Sequence, residues 1–454
     1  MTDTVREEVP RNVPPLLRNR DFLLLWQGAA VSGLGSNASS VAYPLLVLAL
    51  TGSPADAGAA GFVALVPQLL FQLPAGALVD RWNRRRTMIW CDVLRILAIG
   101  SVAAALLLDR LSLPHILAVG FTEGTLTVCF QIAASAAVPN VVHPSQLAAA
   151  LSRNEARARG ATMLGKPLGG ALFGFGRALP FLFDAVSYLW SLVSLLLIRT
   201  EFQAERRPRS GPLHRELTEG VRWLWRQPFI RTTTFLIAGS NLLFQAVFLT
   251  VILMARDQGG SPAQIGVMFG LGAVGGVLGS LLAPELERRL SMRTVVIGAN
   301  WAWALLVPVL LVVHGPYLIG AVYALMCFVG PVWNVVTSAY QLAVTPDAIQ
   351  GRVIGAVGLI AFGAVPLGSL IGGELLARFG AHSTVVVLAA WMVLLGATAT
   401  LSPSVRSAPS LAGAAPGQPA ADDGATAAGA EDEDEDEDAA GITDATAAES
   451  APSA

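Results

Sequence analysis

Apolar runs of about 20 residues, parted by short polar breaks, recur from residue 22 to residue 401. The hydrophobic positions within each run are continuous rather than alternating. Each run therefore predicts a membrane-spanning helix, and none predicts a barrel strand. Twelve runs stand out: 22–49, 57–79, 88–108, 115–137, 160–177, 180–198, 232–254, 262–284, 294–313, 317–340, 353–377 and 383–401. The first and eleventh exceed the ~20 residues a bilayer requires and are expected to tilt or bend. Residues 1–20 are polar and contain Pro10, Pro14 and Pro15, so no signal peptide is expected and the first span acts as its own insertion signal.

The polar segments repeat as well. At an offset of 203 residues Gly76 meets Gly279, Leu78 meets Leu281, and Arg85-Arg86 meets Arg288-Arg289. At the same offset Gly169-Gly170 meets Gly372-Gly373 and Leu172 meets Leu375. Self-similarity in one orientation predicts a parallel repeat. The expected fold is an all-α polytopic membrane protein, with 12 transmembrane helices in two parallel-repeat six-helix bundles. The bundles are placed at 21–198 and 232–401, after a short N-terminus at 1–20.

The linker 199–231 holds Leu213, Leu217, Val221, Leu224 and Trp225 at helical spacing. This predicts an amphipathic helix at the membrane interface, with Trp223 and Trp225 as anchors. After residue 402 the chain turns to Ala, Pro, Gly, Ser and acid. This stretch carries 12 of the 32 acidic residues, and 402–454 is expected to be disordered and solvated.

Composition agrees with a membrane protein. Hydrophobic residues make up 54% and charged residues 14%, against about a quarter charged in a soluble protein. The basic residues are nearly all arginine, and 24 of them fall on one side of the twelve spans against 4 on the other. The positive-inside rule puts that side, with both termini, in the cytoplasm, so the expected location is the cell's plasma membrane. Cys91, Cys129 and Cys327 all lie in apolar segments and the five histidines are scattered. No disulfide framework, metal site or cofactor is expected. No nucleophile–base set suggests an enzyme, and nothing suggests a nucleic-acid partner. The run Gly160-Ala-Thr-Met-Leu-Gly165-Lys166-Pro167 mimics a phosphate-binding loop, but proline replaces the hydroxyl residue and the run sits inside an apolar span.

Ionisable residues inside spans are functional candidates, because the bilayer penalises charge. Glu123 lies about 12 Å into the fourth span at 1.5 Å per residue, and Lys166 lies within the fifth. Sequential neighbours could pair, so Glu123 and Lys166 are candidates for proton coupling, with a static pair as the plain alternative. Asp92 and Arg95 have i, i+3 spacing and are candidates for a gate network or a structural pair. Asp184, near the end of the sixth span, is expected to reach water. Glu374 and Arg378 are expected to form a surface pair. Ser36, Asn37, Gln131, Asn241, Gln245 and Asn334 are candidates for a polar cavity lining, with interhelical hydrogen bonding as the competing role.

The charged turn after the second span gives the sharpest motif. Gly76, Leu78, Asp80, Arg81, Arg84 and Arg85 match the signature Gly-x-Leu-x-Asp-Arg-x-Gly-Arg-Arg, with Asn83 in place of one glycine. Asparagine tolerates left-handed backbone, so the turn is expected to survive. On this motif, and on two six-span halves, residues 15–401 resemble the major facilitator superfamily. Asn19-Arg-Asp21-Phe-Leu-Leu-Leu-Trp26, Asp92-Val-Leu-Arg95, Phe183-Asp184-Ala and Pro346-Asp-Ala-Ile-Gln-Gly351-Arg352-Val are similar to the branch of macrolide-efflux and enterobactin-export proteins. The resemblance implies a secondary active transporter that exports a small hydrophobic or amphiphilic compound (a drug, antibiotic or siderophore-like product) by alternating access and proton antiport, as a monomer in the bilayer. It also implies that Asp80 and the neighbouring arginines latch the two bundles. In the second half Ala283-Pro284 stands where Asp-Arg would be, which leaves any latch to the first half. Two alternatives remain open: an importer of a nutrient or siderophore on the same fold, and a non-transporting receptor or assembly factor.

Overall fold

The computed structural model describes residues 15–202, 213–346 and 349–408. Its helices are α1 (Arg20–Thr51), α2 (Pro54–Arg81), α3 (Arg84–Leu107), α4 (Leu113–Val141), α5 (Leu147–Phe175), α6 (Leu179–Leu197) and α7 (Leu213–Arg226). There follow α8 (Pro228–Asp257), α9 (Pro262–Arg289), α10 (Met292–Val309), α11 (Pro316–Val344), α12 (Gln350–Leu401) and the short α13 (Pro403–Arg406). Ten of these are long and apolar enough to cross a membrane. Two more crossings complete the set. α5 has the length, but its first turns carry Arg153, Glu155, Arg157 and Arg159. α12 runs for 52 residues and is broken at Gly380, whose φ of 73° is not helical. A glycine adopts that conformation without strain, so one residue divides the eleventh span from the twelfth.

Several boundaries differ from the hydropathy reading. The fourth apolar run ends at 137 and the fifth begins at 160, but no loop of that length parts the helices. Instead α4 continues to Val141 and α5 begins at Leu147. Hydropathy marks where the bilayer ends, whereas a helix with polar residues continues into water. The turn after the second span is likewise short: Asp80 and Arg81 close α2, and Trp82 and Asn83 alone connect it to α3. Asn83 sits at φ −71°, so it has no left-handed role. Its side chain caps α3 by accepting from the Arg86 amide at 3.0 Å.

The same helix pairs build each half. In the first, α1 packs on α5 and α6, α2 on α4, and α3 on α4 and α6. In the second, α8 packs on α12, α9 on α11, and α10 on α11 and α12. The halves meet through α2 against α12 and α5 against α9, a symmetric exchange of equivalent helices. Lipid tails are as apolar as leucine, so helices here gain from close packing rather than from hiding oil from water. The contacts between halves show this. A Cβ on Gly373 would lie 2.6 Å from the Cα of Gly58, and one on Gly170 would lie 2.5 Å from the Cα of Gly266. Both contacts lie toward the membrane face opposite the arginine-rich one, where the Ser369 hydroxyl also donates to the Gly58 carbonyl at 3.1 Å.

α7 is docked onto the bundle. A Cβ on Gly220 would lie 2.3 Å from the Arg352 carbonyl oxygen, Leu224 is fully buried, and Arg352 pairs with Glu219 at 2.6 Å. Trp225 stays half exposed with its ring edge-on to Phe235 at 5.8 Å. The side chains of Leu213 and Leu217 lie outside the described residues. α13 buries Val405 completely, so helix persists past residue 402, where the apolar pattern fades. The acidic run of the tail lies outside the described residues.

Candidate functional site

Four helices of the first half carry a polar cluster into the membrane interior. α4 presents Glu123, and its two carboxyl oxygens accept separate hydroxyl donors. Tyr43 of α1 donates to Oε2 at 3.1 Å and Tyr188 of α6 donates to Oε1 at 3.0 Å. The Tyr188 oxygen is also 2.9 Å from the Ser36 hydroxyl, which lies 2.9 Å from the Ser32 carbonyl. Glu123, two tyrosine hydroxyls and a serine thus form one connected chain. One hydroxyl carries one proton, so protonating Glu123 turns an acceptor into a donor and can reverse the direction of the Tyr188–Ser36 link.

Beneath Tyr188 the cluster is sealed. Arg95 of α3 holds its guanidinium 5.0 Å from the Tyr188 ring centroid and 4.8 Å from that of Phe130, and pairs with Asp92 at 3.5 Å. Both members of this pair are buried, at 3% and 0% exposure. The expected i, i+3 pair is therefore present, and through Tyr188 it adjoins the Glu123 chain. Asp184 departs from expectation. It is fully buried rather than in contact with water, and accepts from Ser39 at 2.6 Å and from Ser187 at 3.3 Å. Gly35 makes this possible, since a Cβ there would lie 2.6 Å from the Asp184 Oδ1 and 2.1 Å from the Ser187 Oγ. Glu123, by contrast, is partly exposed. Asp92, Arg95 and Asp184, the other charges of the cluster, are buried.

Lys166 does not join this cluster, so the expected Glu123–Lys166 pair is absent. α4 and α5 are consecutive in the chain but barely touch, because α5 packs on α1 and α9. The Lys166 ammonium instead faces the second half, 5.4 Å from the Phe248 ring centroid and 5.7 Å from that of Phe269.

The six polar lining candidates separate. Ser36 belongs to the Glu123 chain. Asn37 donates within its own helix to the Gly33 carbonyl at 2.8 Å, and Asn241 crosses from α8 to the Ala361 carbonyl of α12 at 2.7 Å. Gln131 and Asn334, equivalent at the 203 offset, are both exposed, and Gln245 is half-buried. Glu374 and Arg378 pair across one turn at 2.5 Å.

The basic turn is tied into its own half. Arg84 donates to the carbonyls of Ala136 at 2.8 Å and Phe202 at 3.3 Å, and Arg85 to those of Leu195 at 3.2 Å and Leu196 at 3.0 Å. These arginines fasten the ends of α4 and α6, and for α6 they occupy last-turn carbonyls that have no helical partner. Among the described residues nothing lies within 4 Å of a Cβ on Gly76, whereas its counterpart Gly279 would place one 2.1 Å from the Phe328 carbonyl oxygen. The two glycines match in sequence without sharing a packing reason. Leu78 is 41% exposed, and the side chains of Asp80 and Arg81 lie outside the described residues.

A family described as transmembrane secretion effector matches residues 13–419. The chain belongs to this family of major facilitator superfamily transporters. The multidrug efflux pump Tap of Mycolicibacterium fortuitum is 27% identical over 404 residues, 85% of this chain and 96% of that protein. Macrolide efflux protein A of Streptococcus pyogenes is 23% identical over 386 residues, 83% and 92% of the two chains. Among solved structures, the nucleoside transporter NupG superposes with a TM-score of 0.70 at 12% identity, covering 86% of this chain and all of that one. A bacterial homologue of the iron transporter ferroportin, in an inward-facing state, gives 0.64 at 18% identity, with 85% and 98% coverage. At these identities the structural likeness shows the fold alone.

Within this secretion-effector fold, the residues that sequence reasoning missed are Tyr43 and Tyr188. A tyrosine in an apolar run resembles an interfacial anchor, and only the packing of α1 and α6 on α4's neighbours brings both hydroxyls to one carboxyl. The signal available was spacing: Asp184 and Tyr188 are i, i+4 on α6, so a face bearing one bears both. The segment Asn19–Trp26 also gains a physical role. Asn19 caps α1 and donates to the Val141 carbonyl at 2.8 Å, Asp21 accepts from the Thr200 amide at 2.9 Å, and Trp26 donates to the Arg153 carbonyl at 3.2 Å. It clamps three chain segments at the arginine-rich face of the transporter.

Proposed function

We propose that this transporter exports a small hydrophobic or amphiphilic compound in exchange for protons, with Glu123 as the coupling carboxyl and the arginine-rich face in the cytoplasm. The observation that carries this reading is the Tyr43–Glu123–Tyr188 arrangement: a membrane-embedded carboxyl held by two donors from two different helices. Three carboxyls (Asp92, Glu123 and Asp184) face a single guanidinium, Arg95. Charge in this solvent is costly, and the four groups become neutral together when they hold two protons. Asp92 and Asp184 are enclosed, so Glu123 is the member that exchanges a proton with water.

Coupling follows from the hydroxyl chain. An ionised Glu123 draws the hydroxyls of α1 and α6 toward α4. A protonated Glu123 loses the charge that strengthens both bonds and turns one of them round, which loosens α1 and α6 against α4 as the halves rock. The Gly58–Gly373 and Gly170–Gly266 contacts keep the far face closed in the described conformation, which suits loading from the cytoplasmic side. The multidrug and macrolide pumps among its relatives support export as the direction and amphiphiles as the cargo.

The test is expression in an efflux-deficient bacterial host, screened against neutral, cationic and acidic amphiphilic antibiotics, followed by uptake of each selected compound into inside-out vesicles. Uptake is expected to need an acid-inside pH gradient and to stop when an ionophore collapses it. Uptake that persists after collapse, or no change in resistance to any compound, contradicts the proposal.

A further inference from the structure

Away from the Glu123 cluster, a cavity of about 430 Å³ opens where the halves meet, between α5 of the first half and α9 and α11 of the second. That volume is within the ~300–1,000 Å³ range of small-molecule pockets. Its walls include Lys166, Phe269, Tyr323 and Cys327, with Glu155 and Arg159 toward the arginine-rich face. Gly272 keeps the wall low at its centre, since a Cβ there would lie 2.5 Å from the Tyr323 ring.

Lys166 is the one lysine of the chain, and its cationic head reaches this cavity with no counter-ion among the described residues. The acid on the same wall does not serve. Glu155 pairs with Arg159 at 2.9 Å, and Arg159 also donates to Ser280 across the gap between halves at 2.9 Å. Lys166 has the ring faces of Phe248 and Phe269, at 5.4 and 5.7 Å, and the Cys327 thiol beside it, but no carboxylate among the described residues. Aromatic faces attract a cation, but less than a carboxylate that both pairs and hydrogen-bonds. The cavity therefore places the Lys166 head, without a carboxylate partner among the described residues, beside apolar and aromatic walls, a chemistry that suits an anion on an aromatic body.

We infer that this cavity binds the acidic group of an aromatic amphiphile, a carboxylate or sulfonate, with Lys166 as its counter-ion and Phe269 and Tyr323 against its rings. The inference rests on the reading of the chain as an amphiphile exporter and narrows its cargo to acidic aromatic compounds. It also gives Lys166 a role apart from Glu123: one recognises cargo at the junction of the halves, and the other takes the proton within the first half. Lys166 bridges from α5 to rings of α8 and α9, so an anion that draws the ammonium off those rings also loosens a contact between the halves.

The experiment is equilibrium binding by calorimetry to the purified full chain in phosphatidylcholine nanodiscs, with naphthalene-1-acetate and its neutral amide as probes. The wild type is expected to bind the acid at least tenfold more tightly than the amide. Lys166→Gln is expected to bring the two within twofold while still binding the amide, which shows the cavity intact, and Lys166→Arg is expected to keep the preference. No preference in the wild type, or a preference retained in Lys166→Gln, overturns the inference. A preference that disappears when phosphatidylglycerol is added to the nanodisc assigns the site to a lipid phosphate and also overturns it. No pH gradient enters this measurement, so its outcome is separate from that of the proton-driven vesicle assay.

Discussion

Replacing Gly373 by alanine probes the contact that holds the far face shut. The new methyl would stand 2.6 Å from the Cα of Gly58, 2.7 Å from the Pro54 carbonyl oxygen and 3.0 Å from the Gly58 nitrogen. All three are backbone atoms of a helix, so no side chain can swing aside. Relief requires α12 and α2 to part by roughly 1 Å, which also stretches the Ser369–Gly58 hydrogen bond. Overpacking of this kind costs about 1–3 kcal/mol, and the cost falls only on the conformation in which the halves touch here. The balance should therefore move by about 5- to 150-fold toward the state open at that face. The assay is electron–electron double resonance between spin labels at Arg110→Cys and His314→Cys, exposed positions in the far-face loops of the two halves, on a background with Cys91, Cys129 and Cys327 replaced. The distance distribution should gain a longer population in Gly373→Ala. Gly76→Ala is the control, because among the described residues nothing lies within 4 Å of its added Cβ. An unchanged distribution in a folded Gly373→Ala protein would refute the idea that these glycines set the closed state.

Two further predictions concern the first half. Tyr188→Phe removes the donor to Glu123 Oε1, and a hydrogen bond to a charged group is worth about 1.5–3 kcal/mol. Gradient-driven efflux should fall at least about tenfold, and wild-type flux in vesicles would count against the hydroxyl chain. Arg85→Ala leaves two last-turn carbonyls of α6 without their donor, a net loss of about 1 kcal/mol. It should lower the thermal midpoint in detergent while efflux per folded molecule holds, and the opposite result would favour a gating role for Arg85.

The architecture was legible because a bilayer imposes a length and a charge rule on every span. The apolar runs, the break at residue 380 and the Asp92–Arg95 pair could all be read from spacing along one helix. What spacing could not supply was which helices touch. Glu123 and Lys166 looked like partners because the fourth and fifth spans follow one another. In the fold α4 packs on α2 and α3, and α5 crosses to α9 in the other half. Asp184 looked solvated because it is five residues from the end of α6. Gly35 on α1 opens a notch that receives it, and a notch is a property of two helices rather than of one. The basic motif shows the same limit. Arg84 and Arg85 reach helix ends within their own bundle, which hydropathy placed only to within a few residues, while the side chains of Asp80 and Arg81, on which a latch would depend, lie outside the described residues.

The coupling proton is assigned to Glu123, and the most direct measurement of that role compares two modes of transport in Glu123→Gln. Glutamine keeps the shape and can still accept from one tyrosine, but it cannot exchange a proton. Purified protein in liposomes is loaded with a compound selected in the resistance screen, and both pH-gradient-driven accumulation and substrate counterflow without a gradient are recorded. Glu123→Gln is expected to lose gradient-driven accumulation and to retain counterflow. Accumulation at the wild-type rate under the same gradient would contradict it.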